Sequence, residues 1–447
     1  MFTVAAVATN VCALPVGTIL DKYGPRVSGI IGSIFIAIGA LLFAFSKQLP
    51  FDGYIPGYLF LALGGPFVFI SSFQLSNTFA HRSGLILSML TGAFDSSSAL
   101  FLVFRLLYNA TNGSFDSQKF FLVYLIVPVF IFVVQIFIMP KNSYKTVGEL
   151  VKQAEDDINE THSSDEEIDD EAQLAQVQED RRIRRESIVS EITSLLGNKD
   201  NAKRAKREEK KNQHSGVWGV MHGHSALQQI KSPWFVLITL FTVVQMTRIN
   251  YFVATIRPQY TYLFKSAHNA EKINNIFDAA LPLGGVISVP FIGTILDNTT
   301  TTTTLAALVT VATIIGILGV LPYFWAAVLN VCLFVVYRPF YYTAVSDYAA
   351  KVFGFQTFGK VYGLIICLAG IFNFSQSVLD ALTLKVFHRD PRPVNGMLMA
   401  LALVVGGLLV TYVEWKSRVM KRERLEQEAE GTVESLMPTV GENGYGT

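Results

Sequence analysis

Apolar residues run along this chain in long stretches separated by short polar turns. A bilayer's hydrocarbon core is about 30 Å thick and each helical residue rises about 1.5 Å, so about 20 apolar residues cross it with every backbone polar group bonded internally. Eleven stretches qualify: roughly 2 to 20, 27 to 46, 54 to 73, 84 to 107, 120 to 139, 233 to 256, 276 to 296, 304 to 321, 324 to 344, 360 to 381 and 395 to 415. The apolar stretch from Leu305 to Tyr337 is too long for one pass, and Pro322 within "LGVLPYFW" marks the turn between two. The first run has no basic leader and ends in Asp-Lys-Tyr-Gly rather than small residues, so it reads as a span and not as a cleaved signal. The pattern predicts an all-α, polytopic membrane protein.

Composition agrees. The 447 residues are 51% hydrophobic and 16% charged, a deficit of charge against soluble domains, and mean hydropathy is +0.39. The formal net charge of +1 hides basic and acidic residues crowded into a few polar stretches, and no nucleic-acid partner follows from it. Cys12, Cys332 and Cys367 fall inside apolar runs without metal-ligand spacing and read as small buried side chains.

Five runs precede a polar segment from Lys141 to Lys231, and six follow it. The string GTILD occurs at Gly17 to Asp21 and again at Gly293 to Asp297. Transporters are often built from repeated halves, so a shared string marks equivalent places. The first copy closes run one of its half and the second closes run two, which leaves the first half one helix short at its amino end. The expectation is a fold of twelve helices, the first missing here through truncation or a misplaced start. The division is residues 1–140 as an N-terminal bundle, 141–231 as a largely disordered cytoplasmic linker, 232–416 as a C-terminal bundle and 417–447 as a cytoplasmic tail.

Short cytoplasmic loops carry an excess of Lys and Arg. Lys22, Arg26, His81, Arg82, the central segment, Lys351, Lys360 and the cluster from Lys416 to Arg424 fall on one side, which is therefore the cytoplasm; His388, Arg389 and Arg392 dissent. On the other side, Asn109 and Asn112 in "YNATNGS" each start a glycosylation acceptor, which favours a plasma or vacuolar membrane over a mitochondrial one. The acidic run "EDDINETHSSDEEIDDE" and the basic runs around it cannot bury a core and read as a tether. Within it Ser187, after Arg184 and Arg185, is a candidate acceptor for a basophilic kinase.

The pattern Gly17, Asp21, Gly24, Arg26 between the first two spans resembles the signature loop between helices two and three of the major facilitator superfamily. The resemblance implies two six-helix bundles and a conformational latch, with Asp21 facing the amino end of the span near Phe358 to Lys360, where a helix dipole favours negative charge. Arg26 supplies a cation to the same cluster. Asp297 holds the equivalent place, but "NTTTTTT" lacks the following Gly and Arg, so the second latch reads as degenerate. Two stretches, Phe73 to Phe101 and Phe358 to Thr383, resemble the branch of solute carrier family 43, the large neutral amino acid transporters, and its fungal relatives. That implies a neutral amino acid as solute.

Ionisable side chains at membrane depth are expensive and normally face a cavity or a partner. Asp95 within "TGAFDSSSA", Arg338 within "VVYRPFYYTAVSD", Arg248 within "VVQMTRINYF" and Asp278 are the few present, and Pro339 is placed to break its helix. A zwitterion needs a positive site for its carboxylate and an acceptor for its ammonium. Arg338 and Arg248 are candidates for the first and Asp95 for the second, with Gln74, Asn373 and Gln376 as hydrogen-bonding neighbours and Tyr341 among the aromatic residues lining an apolar pocket. The competing reading is interhelical ion pairs that only fix packing, such as Arg248 with Asp278.

The function expected is secondary transport by alternating access, with no cofactor and with the solute and the bilayer as partners. Without a phosphate-binding loop, direct ATP drive is unsupported. Uniport and proton symport through Asp95 both remain open, as does a non-transporting receptor or scaffold that keeps the fold. Every histidine lies outside the spans, which disfavours a membrane enzyme.

Overall fold

The computed structural model describes residues 2–79, 82–140 and 215–436; Ser187 and His81 lie outside them. In chain order the helices are α1 (Phe2–Val11), α2 (Ala13–Ala44), α3 (Tyr54–Ser72), α4 (Leu75–Thr78), α5 (Ser83–Ser96), α6 (Ala99–Ala110), α7 (Ser117–Tyr124), α8 (Ile126–Phe137), α9 (Ala226–Lys231), α10 (Pro233–Phe264), α11 (Ala267–Asn298), α12 (Thr301–Leu318), α13 (Phe324–Phe353), α14 (Phe358–Phe372), α15 (Ser375–Ala381), a π turn (Leu382–Val386) and α16 (Arg392–Leu436).

Among the described residues ten helical stretches are long and apolar enough to cross a membrane, and the protein is an integral, multi-pass membrane protein. The first, Val7–Ala44, is 38 residues long and supplies two passes. At Gly24 the backbone takes φ 80° and ψ 173°, a left-handed value that a residue with a Cβ rarely adopts, and Pro25 restarts the helix behind it. The segment before the break packs on α14, and the segment after it packs on α3, where Gly32 approaches Gly64 and Gly39 approaches Gly57. α12 and α13 are separate helices on either side of Pro322, as the sequence pattern requires.

Caps come from the residues beside each break. Ser232 accepts from the Phe235 amide with Pro233 in the first turn, and Ser266 accepts from Asn269. Part of the Thr run has a local purpose: Thr300 accepts from the Thr303 amide and starts α12. Pro339 does not break its helix. α13 runs unbroken from Phe324 to Phe353, and the Thr343 hydroxyl donates to the Pro339 carbonyl at 2.7 Å. Cys12 and Cys367 are buried, whereas Cys332 is exposed on the outside of α13, against the expectation for all three.

Residues 215–231, assigned from composition to the linker, pack on the C-terminal bundle. Gly219 and Met221 amides donate to the Lys351 and Val352 carbonyls, each at 3.0 Å. The Gln229 amide nitrogen reaches the Met221 and Phe353 carbonyls at 2.8 and 3.0 Å, and its oxygen accepts from the Thr357 hydroxyl at 2.6 Å. Left-handed backbone at Gly216, Gly219 and Gly223 lets this strap turn tightly beneath α13 and α14.

Candidate functional site

The bundles meet along two helix pairs related by the internal repeat. α2 crosses α14, and α11 crosses α5. In the first pair a Cβ on Gly17 would fall 1.8 Å from the Gly359 carbonyl oxygen, and one on Gly363 would fall 2.4 Å from the Ala13 carbonyl oxygen. In the second, a Cβ on Gly293 would meet the Leu85 backbone at 2.9 Å, and the Ser88 hydroxyl donates to the Val289 carbonyl at 3.1 Å. The positions correspond: 13 and 289, 17 and 293, 21 and 297 share one offset, while 84 and 359, 88 and 363 share another.

At the linker-side end of each pair a carboxylate closes the contact. Asp21 accepts from the Gly359 and Lys360 amides, both at 2.8 Å, and Asp297 accepts from the Gly84 and Leu85 amides at 2.9 and 3.3 Å. The first amides of a helix have no partner inside it and carry the positive end of its dipole, so each carboxylate completes the amino terminus of a helix in the opposite bundle. The second clasp is therefore complete, contrary to its reading as degenerate, because the bonds need only the carboxylate and not the Gly and Arg that follow Asp21. Arg26 is engaged elsewhere. Its Nε donates to the Met139 carbonyl at 2.7 Å, tying the loop to the end of α8 within its own bundle.

Farther from the linker side, Asp95 on α5 and Arg338 on α13 meet across the bundle boundary, with Nη1 3.3 Å from Oδ1. The Asp95 side chain is 1% exposed and that of Arg338 20%. Gly92 and Gly285 bring α5 and α11 together behind this pair, since a Cβ on Gly285 would touch the Asp95 side chain at 2.9 Å. Neither Asp95 oxygen has a hydrogen bond of good geometry, and Arg338 Nε has none. The Tyr342 hydroxyl lies against the guanidinium. One turn closer to the linker side, Thr91 and Thr343 share a short hydroxyl–hydroxyl bond between the same helices. From the sequence Tyr342 is only one of several aromatic residues placed around an apolar pocket, not a partner of Arg338, and Thr91 and Thr343 are not singled out; the spacing of four residues from Asp95 to Thr91 and from Arg338 to Tyr342 is the signal that hints at them.

The other sequence candidates separate. Tyr341 is fully buried and donates to the Thr242 carbonyl at 3.0 Å, so it braces α13 against α10 and lines no opening beside Arg338. Arg248 does not join Asp95: it donates to the Ala312 carbonyl at 3.0 Å and to Gln245 Oε1 at 3.3 Å inside the C-terminal bundle. Nor does it pair with Asp278, which is exposed and accepts from Asn274 at 3.1 Å. Gln74, Asn373 and Gln376 are buried, and the side chains of Gln74 and Asn373 have no hydrogen-bond partner. Gln74 follows Phe73, whose ring packs on Phe358 and Tyr362 near the clasp of Asp21, so it lies toward the linker side. Asn373 sits in a tightened turn between α14 and α15, where amides bond three residues back, and Ser97 and Ser98 form the matching turn between α5 and α6. Asn109 and Asn112 are both exposed at the turn between α6 and α7.

The sequence model described as the Major Facilitator Superfamily matches residues 1–375. Among curated proteins, the chain is 48% identical over 424 residues to Protein FMP42 of Saccharomyces cerevisiae, covering 92% of this chain and 83% of that protein. It is 20% identical over 409 residues to Amino acid transporter 6-1 of Toxoplasma gondii, covering 90% and 65%. A shorter match, 34% over 111 residues, covers 24% of this chain and 22% of Equilibrative nucleobase transporter 1 of Bos taurus. Among solved structures, the proton:xylose symporter XylE superposes with a TM-score of 0.58 at 14% identity, covering 92% of this chain and 84% of that one. The human organic anion transporter MFSD10 gives 0.55 at 12%, covering 91% and 82%. These two likenesses concern the fold.

Proposed function

Since the chain belongs to the Major Facilitator Superfamily, a family of membrane transporters, we propose that its solute is a neutral amino acid, held between Arg338 and Asp95 and carried by alternating access. The observation that supports this most is the ion pair itself, one charge from each bundle, at a depth where an unpaired charge costs about 2.5–3.5 kcal/mol on insertion scales. A zwitterion brings one charge of each sign. Its carboxylate takes the place of Asp95 beside Arg338 and Tyr342, and its ammonium takes the place of Arg338 beside Asp95, so the site stays neutral while the direct pair opens. A solute with net charge leaves one charge at this depth without a partner.

The pair is also poised for exchange. At 3.3 Å, with both Asp95 oxygens free of well-formed hydrogen bonds, it is looser than the 2.7–2.9 Å of a good charge-assisted bond. Names among the relatives support an amino acid as the class of solute: a large neutral amino acids transporter and an arginine transporter stand beside a nucleobase transporter.

Proteoliposomes containing the purified protein and offered labelled leucine, arginine and adenine decide between these classes. Leucine uptake, lost in Asp95→Asn and in Arg338→Gln while the variants remain folded, is the expected result. Uptake of adenine alone, or leucine uptake indifferent to both substitutions, overturns the reading. Running the same assay with an imposed pH gradient and with a proton ionophore separates uniport from symport through Asp95.

The route and orientation are part of the proposal: the clasps and the linker face the cytoplasm, and Asn109 and Asn112 face a lumen or the exterior. A glycosidase-sensitive mobility shift that disappears in Asn109→Gln/Asn112→Gln is expected. Failure to see it in cells that glycosylate a control protein argues against that topology.

A further inference from the structure

Arg248 has no role in the site just described, and its surroundings are unusual for a cation at membrane depth. Its hydrogen bonds go to a backbone carbonyl and a neutral amide oxygen, and no carboxylate among the described residues pairs with it. A cavity of about 50 Å³ lies beside it within the C-terminal bundle, lined by Gln245, Ala312, Gly316, Asn330, Tyr337 and Asn395 among others. Space is made by Gly316, where a Cβ would stand 3.0 Å from the Arg248 guanidinium.

Two further donors border this cavity and have nothing to donate to. Because Gln245 Oε1 already accepts from Arg248, the orientation of the amide is fixed and Nε2 is left over, buried and without a partner. The Tyr337 hydroxyl is likewise buried and unpartnered. A buried donor left unpaired is destabilising, and an uncompensated buried charge is more so. One occupant would relieve all three at once. It must accept hydrogen bonds, carry negative charge and fit where an amino acid does not.

We infer that the C-terminal bundle binds a small inorganic anion of the size of chloride in this cavity, between the Arg248 guanidinium, Gln245 Nε2 and the Tyr337 hydroxyl. The Asn330 side-chain oxygen, unpartnered at the same cavity, has the opposite polarity. It takes a hydrogen from a water beside the ion, since Asn330 Nδ2 is already committed to the Tyr260 hydroxyl at 3.0 Å. The volume accommodates a monatomic ion with a water, against about 30 Å³ for each water in the liquid, and a cation is repelled by Arg248. The site joins α10, α12, α13 and α16, so an anion there stiffens the bundle against which α5 and α2 move.

Thermal unfolding of the full-length protein in lipid nanodiscs, in gluconate buffer with chloride or bromide added at constant ionic strength, tests this. Chloride and bromide are expected to raise the unfolding midpoint by several degrees in a saturable manner, with gluconate inert. Tyr337→Phe should weaken the apparent affinity several-fold, and Arg248→Gln should abolish the response. If Arg248→Gln does not fold, Gln245→Leu with Tyr337→Phe replaces it, with the same expected loss. A midpoint equal in chloride and gluconate, meaning a cavity filled by water alone, overturns the inference. So does a halide response unchanged in these variants.

Discussion

Asp95 and Arg338 show what one residue decides at this depth. Removing one member of a buried pair leaves the other uncompensated, at a cost of about 3–5 kcal/mol, whereas removing both by isosteric neutral residues costs less. Asp95→Asn and Arg338→Gln should therefore each lower the thermal midpoint more than the double substitution does, and each should reduce uptake at least tenfold. A double variant less stable than both singles would mean that the two charges do not compensate each other. Legibility from sequence also ends at this scale. Composition and depth mark Asp95, Arg338 and Arg248 alike, because all three are ionisable residues within apolar runs. Which arginine meets the carboxylate depends on how far each helix is rotated about its axis: α13 turns Arg338 to the bundle boundary, and α10 turns Arg248 inward. Tyr341 and Tyr342 lie three and four residues after Arg338, on nearly the same helical face. Packing against Thr242 takes one of them, and the guanidinium takes the other.

At the scale of helices, close backbone approach is the controlling variable. The Gly17–Gly359 and Gly92–Gly285 crossings tolerate no side-chain carbon, and membrane helices associate through such small-residue contacts in the absence of a hydrophobic drive between them. Gly17→Leu should keep α2 and α14 apart on the linker side and strongly reduce transport while the protein still inserts. The distance between spin labels on the linker-side ends of these helices should lengthen, and an unchanged distance with normal uptake would show that the crossing adapts. The helices themselves are readable in sequence because lipid forces every apolar run of sufficient length to bond its own backbone. The strap of residues 215–231 is not, since its order comes from carbonyls at Lys351, Val352 and Phe353, more than 120 positions away from the amides and side chain that meet them.

For the whole molecule, the GTILD repeat alone places Asp21 and Asp297 at corresponding positions, and the structure adds that both clasps are fastened on one face. A hydrogen bond to a charged group contributes about 1.5–3 kcal/mol, and each carboxylate makes two such bonds. Asn keeps one acceptor oxygen and loses one such bond, so Asp21→Asn or Asp297→Asn should each shift the balance between the two access states at least about tenfold, since about 1.4 kcal/mol is a factor of ten. The double substitution should shift it further, read as widened spin-label distances on the linker side and narrowed ones opposite. An effect from Asp21 alone would mean that the Asp297 contact is incidental. The two clasps also bear on the rhythm of turnover. An unladen carrier that rests with this face shut must break four bonds before it can open there again, so that leg is the slow one, and solute waiting on the opposite side should hasten the exit of solute loaded from the clasp side by travelling back in its place.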